Sequence, residues 1–207
     1  MRTLVVGDVH GCTAELRRLV KQSKPDRVIL VGDLFTKGPD PAGMWTLLDS
    51  NGYEAVLGNH DLRLLELKPE DKPALRCVKA LNKAGGDWQS WLAARPLSIE
   101  VGPFTVIHAG VHPSGSLEAT TPRMAIQMRR FPMDDTESPF WWQQYNGERR
   151  VIFGHDARRG LIRITRNQQP WLIGLDTGCV YGGRLSGYLV EEDRLFQVPA
   201  ARTYRAV

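Results

Sequence analysis

The sequence predicts an α/β protein, and three observations carry that prediction. Five short apolar runs each stop abruptly at Gly or Ala beside Asp, Asn or His. Helix-patterned stretches separate the first three of these runs, which is the layout of a parallel strand-helix-strand unit. The chain has 207 residues, of which 42% are hydrophobic and 24% charged, so it holds enough apolar material for a core without a metal or disulfide to staple it.

The runs at 4–6, 29–31, 55–57, 105–107 and 151–153 read as buried strands. They end respectively at Gly7-Asp8-Val9-His10, Gly32-Asp33, Gly58-Asn59-His60-Asp61, His108-Ala109-Gly110 and Gly154-His155-Asp156. Helices are expected over 13–22, where Leu16, Leu19 and Val20 share a face, and over 41–49, where Met44, Leu47 and Leu48 do. Residues 62–95 read as a helical insert broken at Pro69, Pro73 and Gly85-Gly86, and 123–130 as a further helix followed by an acidic, Pro-bounded loop at 132–139. Strands return at 171–175, 186–190 and 194–198 without intervening helices, which suggests a second sheet with antiparallel pairing. No repeat or linker divides the chain, so one domain over 1–207 is expected.

Composition narrows the function. Three cysteines without a C-x-x-C pair fit neither a disulfide framework nor a zinc knuckle, and point to a reducing cytoplasm. No apolar run is long enough to span a bilayer and the N-terminus breaks early at Gly7 and Asp8, so neither a membrane partner nor a leader is expected. A net charge of +4 favours anionic ligands without the basic density of a DNA-coating protein. Walker-type and G-x-G-x-x-G glycine loops are absent, which disfavours ATP-driven and dinucleotide-redox chemistry.

The chain has five histidines, and four of them, His10, His60, His108 and His155, fall in the strand-end clusters. In an open α/β sheet the strand ends are where sites form. Imidazole and carboxylate groups converging there suit a divalent manganese, iron, cobalt or zinc ion in a hydrolytic centre. Singly, Asp8 reads as a helix N-cap, Gly11 and Gly58 as turn residues, and His108 as a hydrogen-bonded core histidine. Those readings do not explain why all five strands end in ligand-type residues.

Gly7-Asp8-Val9-His10-Gly11, Gly32-Asp33-Leu34-Phe35-Thr36-Lys37-Gly38, Gly58-Asn59-His60-Asp61, His108-Ala109-Gly110 and Gly154-His155 together resemble the calcineurin-type metallophosphoesterase signature. Gly174-Leu175-Asp176-Thr177-Gly178-Cys179-Val180-Tyr181-Gly182-Gly183 is similar to the corresponding segment of symmetrical bis(5'-nucleosyl)-tetraphosphatases and ApaH-like phosphatases. The resemblance implies two mixed β-sheets packed face to face and flanked by helices. It also implies two divalent metal ions, manganese foremost: Asp8, His10 and Asp33 would hold one, and Asp33, Asn59, His108 and His155 the other, with Asp33 between them. Water ionised by the pair would be the nucleophile, and His60 would protonate or stabilise the departing oxygen.

Two departures from the phosphoprotein-phosphatase pattern stand out. Thr36-Lys37 replaces Asp-Arg, so the phosphate meets a point charge at Lys37 instead of a guanidinium fork, and His60 lacks its usual carboxylate. Asp61 or Asp176 could orient His60, although Asp61 equally fits as a cap for the helix that follows. The arginine that the family uses between the fourth and fifth motifs corresponds best to Arg129 or Arg130, each of which also reads as an exposed helix charge. Trp141, Trp142 and Tyr181 could stack on a nucleobase, with core packing the plainer reading for the tryptophans.

Three functions follow. The resemblance implies hydrolysis of diadenosine tetraphosphate to two ADP. A phosphatase acting on phosphorylated proteins would use the same metal core, and a catalytically silent phosphoanion-binding module would keep the fold alone.

Overall fold

The computed structural model describes residues 1–206. Its strands and helices alternate at first: β1 (Thr3–Val6), α1 (Thr13–Ser23), β2 (Arg27–Leu30), α2 (Pro41–Asn51) and β3 (Glu54–Ala55). Three helices follow, α3 (Asn59–Leu65), α4 (Lys72–Ala84) and α5 (Trp88–Ala93), and then β4 (Ser98–Val101), β5 (Phe104–Ile107) and α6 (Pro122–Gln127). The chain finishes with β6 (Arg150–Phe153), β7 (Ile162–Arg166), β8 (Gln169–Gly174), β9 (Arg184–Leu189) and β10 (Arg194–Pro199).

Two five-stranded mixed sheets result, ordered β10-β9-β1-β2-β3 and β4-β5-β6-β8-β7. The alternation of side chains along a strand explains how they stack. In β1, Val5 points to one face and packs with Ile29, Val31, Val56, Val106, Ile152 and Ile173, so residues of both sheets share one apolar layer. Leu4 and Val6 point to the other face and pack with Leu16, Leu19 and Met44 of α1 and α2. Full burial of each such side chain is worth roughly 1.5–3 kcal/mol. Strands sandwiched in this way have no polar face, which is why β1 and β5 are buried at every position.

The late strands depart from the sequence expectation of a separate antiparallel sheet. β9 and β10 do pair antiparallel, but β9 then joins β1 in the first sheet, while β8 lies parallel to β6 in the second. Helix α6 is also shorter than expected: it stops at Gln127, and Arg130 instead bridges to Phe140 in antiparallel fashion.

All three cysteines are free and buried. Cys12 and Cys179 lie with Glu15 in one cluster, where Glu15 Oε1 accepts hydrogen bonds from the Ala201 N–H and the Tyr204 hydroxyl, both at 2.9 Å. Among the described residues no helix is long and apolar enough to cross a membrane.

Candidate metal centre

The topology delivers ligand-type residues to one rim. β1 and β2 are parallel, so residues 7–10 and 32–33 emerge at the same end of the first sheet, and β5, β6 and β8 do the same for 108–110, 154–156 and 175–176 in the second. Backbone bonds lock the loops in pairs: the His10 N–H donates to Asp33 O at 2.8 Å, and the Gly154 N–H to His108 O at 2.8 Å. The two sheets are joined at this rim by Asp8, whose carboxylate accepts the His155 N–H at 3.1 and 3.2 Å. A Cβ on Gly154 would lie 2.0 Å from Asp8 Oδ1, so only glycine permits that approach. His10, Asp33, Lys37 and His155 all have positive φ, a conformation that costs L-residues energy and that clusters where function demands it.

Asp8, His10, Asp33, His108 and His155 are buried and Asn59 half-buried, and the structure brings all six together. Ligand atoms of Asp8, Asp33 and His108 lie within 4.8 Å of one another. Asp33 is central: its two carboxylate oxygens lie 3.5 Å from His10 Nε2 and 3.5 Å from His108 Nε2.

Hydrogen bonding sets the tautomers. His108 Nδ1 faces Val31 O at 2.7 Å and His155 Nε2 faces Gln127 O at 3.2 Å, so each of those nitrogens carries the proton. The remaining nitrogens, His108 Nε2 and His155 Nδ1, are then bare lone pairs, and both lie 3.1 Å from Asn59 Oδ1. Acceptors converging on acceptors are what a cation satisfies, and a backbone carbonyl behind each imidazole is the usual support for a metal-ligating histidine. The Asn59 amide turned over would supply two N–H donors in a cation's stead.

Electrostatics tells the same story. Burial, followed by repulsion from Asp176 and Asp33, pushes Asp8 well above the usual carboxylate range. Burial also pushes Asp33 up to about 6, and Asp61 and Asp176 up to about 7. The imidazoles move the opposite way: burial, then the charge of Lys37, drives His10 down and His60 down to about 3, and burial takes His108 down to about 4. Carboxylates that resist ionising beside imidazoles that resist protonation make a donor set lacking positive charge. Divalent cations fit it, and without cysteine ligands it suits a hydrolytic ion rather than a structural zinc.

Asp61 and Asp176 do not orient His60. The Asp61 carboxylate accepts the N–H groups of Asp33 at 2.7 Å, Leu34 at 2.9 Å and Gly58 at 3.2 Å, so it braces the Asp33 loop against the start of α3. Asp176 accepts the Gly178 N–H at 3.1 Å. His60 Nδ1 is buried without a hydrogen-bond partner, and its ring meets His10 edge-on at 5.3 Å. Replacing Asp61 with Ala leaves three buried donors unpaired, at about 1–3 kcal/mol for a lost group. The expected result is a loss of about 3 kcal/mol and a Tm lower by roughly 6–12 °C, read by thermal unfolding of the metal-free chain.

Lys37 places its ammonium 3.2 Å from His10 Nε2 and 5.6 Å from the Tyr181 ring centroid. Arg129 and Arg130 both line the same cleft, although the Arg130 guanidinium is engaged with Ser138 O. The two tryptophans divide: Trp141 is core, at the centre of a cluster with Phe153 and Tyr145, whereas Trp142 stacks on Phe140. Asp156 of the fifth strand-end cluster also lines the cleft, as do Arg158 and Arg159, to which sequence reasoning gave no role. The only hint was their position close behind that cluster.

Buried imidazole and carboxylate ligands gathered at the mouth of two stacked sheets define a metal-dependent hydrolase centre, and the chain belongs to the calcineurin-like phosphoesterase family, whose model matches residues 1–163. Members of that family use a dinuclear divalent-metal centre. A Proteus mirabilis protein named symmetrical bis(5'-nucleosyl)-tetraphosphatase is 34% identical, covering 97% of this chain and 98% of its own. A Vibrio parahaemolyticus protein of the same name is 29% identical, covering 95% and 98%. These alignments extend over 269 and 272 positions, so each relative carries internal segments with no counterpart here. A crystal structure described as that of a candidate diadenosine tetraphosphatase superposes with a TM-score of 0.80 at 34% identity, covering 96% of this chain and 93% of that one. A metallophosphoesterase from Sphaerobacter thermophilus, with a TM-score of 0.64 at 15% identity over 98% of this chain and 89% of its own, shares the fold.

Proposed function

We propose that this chain hydrolyses diadenosine tetraphosphate symmetrically, adding water across the central phosphoanhydride to give two ADP. The observation that carries the reading is the convergence of His108 Nε2, His155 Nδ1 and the Asn59 side-chain amide beside the buried Asp33 carboxylate. Asp8, His10 and Asp33 would hold one divalent ion, and Asp33, Asn59, His108 and His155 a second, with manganese our choice of metal. Bound there, such ions acidify water and neutralise phosphoryl oxygens. Lys37 and Arg129 would anchor the reacting phosphoryl group, and His60 would sit at the departing oxygen. Residues 1–207 act as one domain in this reading, since the centre draws on both sheets. The free, buried thiols support a reducing compartment such as the cytoplasm.

The state of His60 favours an anhydride over a phosphoserine. No carboxylate is hydrogen-bonded to the ring, whose Nδ1 is buried without a partner, so nothing holds the imidazolium that proton delivery to a strongly basic leaving oxygen requires. A nucleoside diphosphate leaves without strong protonation, whereas a serine alkoxide does not. Chromatography of products from the Mn-loaded protein, with a phosphopeptide in parallel, tests the proposal. ADP as sole nucleotide product supports it. AMP plus ATP, or faster release from the phosphopeptide, refutes it.

Metal and pH are linked. A carboxyl whose pKa is higher in the folded than in the unfolded chain contributes stability below its unfolded value and loses it as pH rises through the folded one. For Asp33, Asp61 and Asp176 that window ends at about 6 to 7. The buried imidazoles of His10, His60, His108 and His155 act in the opposite sense, losing stability as pH falls below their ordinary value of 6.5, so the two sets offset each other in the metal-free chain and the metal-dependent part is what reads out. Manganese at one fixed concentration, about a hundred-fold above its Kd at pH 8, should raise Tm by about 5–10 °C at pH 8 and by less at pH 5, where protons compete and the Kd is higher. An equal rise at both pH values in scanning fluorimetry would contradict cations replacing protons on these groups.

A further inference from the structure

The ligand-type residues occupy the inner end of a cleft of about 700 Å³, and the outer part is of different character. Six cations line the cleft: Lys37, Arg129, Arg130, Arg158, Arg159 and Arg205. Three carboxylates face them, of which Asp33 and Asp176 belong to the inner end. Asp156 is left to serve the outer wall, 3.8 Å from Arg129 and 4.0 Å from Arg159. One carboxylate among five arginines leaves an excess of positive charge.

That excess is held in place by an aromatic ring. The guanidinium carbons of Arg130 and Arg159 lie 4.4 and 4.8 Å from the Phe140 ring centroid, and Phe140 itself stacks on Trp142 with an interplanar angle of 6°. Cation–π contact offsets part of the repulsion between the two guanidiniums and fixes their forks. Arg158, exposed and without an ion pair among the described residues, sits next to this pair. A single phosphoryl group at the inner end has Lys37 and Arg129 at hand and leaves the other arginines unused.

We infer that Arg130 and Arg159, held against Phe140, form with Arg158 of the same cleft wall a second phosphate subsite that holds the distal phosphates of a condensed phosphate chain while its reacting phosphoryl group lies at the inner end. The inference rests on the hydrolase reading above and sharpens it: the substrate class is set by a run of phosphates, and the subsite discriminates against a single phosphoester. Guanidinium forks pair bidentately with phosphate oxygens, and each added phosphate brings further charge-assisted hydrogen bonds.

The test is competition against hydrolysis of p-nitrophenyl phosphate by the Mn-loaded protein, with free manganese held constant. In the parent, tripolyphosphate should inhibit about ten-fold more tightly than orthophosphate. In the double variant Arg158→Ala/Arg159→Ala that advantage should shrink to about two-fold. The variant Arg17→Ala/Arg76→Ala, which removes the same charge from exposed positions on α1 and α4, should retain it in full. Equal inhibition by both anions in the parent overturns the inference, and so does an equal loss in the two double variants. If the parent hydrolyses p-nitrophenyl phosphate but not diadenosine tetraphosphate, the proposed reaction fails while this competition still decides the subsite.

Discussion

Asp33→Asn is expected to lower kcat/KM on diadenosine tetraphosphate by about 10³-fold or more, a loss of about 4 kcal/mol in transition-state stabilisation. Asp33 is the one carboxylate within 3.5 Å of both His10 and His108, so it is placed to serve both halves of the donor set. The amide removes the negative charge and puts an N–H₂ donor where an acceptor is required. The fold should survive, because an amide oxygen still accepts the His60 N–H that Asp33 Oδ1 now accepts at 2.9 Å. Metal content after gel filtration should fall with activity, while the Tm of the metal-free chain stays within about 2 °C, in line with a small change in hydrogen bonding. Full activity in this variant would remove Asp33 from the centre of the mechanism.

His60→Asn should separate chemistry from metal binding. The ring is not among the converging acceptors, so metal content should match the parent. Positioned proton transfer contributes about 10²–10⁴-fold, and kcat should fall within that range on p-nitrophenyl phosphate. On the dinucleotide the fall should be similar, because a nucleoside diphosphate and p-nitrophenolate are leaving groups of comparable basicity. A parallel loss of metal and activity would make His60 a ligand or a packing group instead.

Much of this was legible in the sequence because it depends on local pattern. An apolar run of four residues that breaks at Gly-Asp or Gly-His announces a buried strand and the loop beyond it, and the loops of parallel neighbours must emerge together. β4 and β7 were missed for the corresponding reason. Ser98–Val101 is mostly half-exposed, and Ile162–Arg166 alternates Ile with Arg and Thr at the sheet edge, so neither has an apolar run to read. The pairing of β9 with β1 joins residues far apart in the chain, and spacing alone does not encode it. Asp61 shows the same limit within the site. Its position after His60 suggested a partner for that ring or a helix cap; it does cap the start of α3 through the Gly58 N–H, and its two shorter bonds reach the backbone of a loop 27 and 28 residues away. Arg158 and Arg159 carry no sequence signal of their own; the fold puts both on the cleft wall and sets Arg159 against Phe140.

The cysteine cluster beside the strand-end loops has a practical consequence. Cys12 follows the first motif and Cys179 lies in the last, and both are sealed from solvent, as is Cys77, whose thiol burial pushes up to about 12. Burial pushes the Cys179 thiol up as well, after its contact with Cys12. A thiol-modifying dye has no target in the closed molecule, so the pace at which it colours a native sample is a stopwatch for breathing. Cys12 adjoins the loop at 7–11 and Cys179 adjoins Gly178 of the cleft wall, so whatever holds those loops still should slow two of the three hands on that stopwatch.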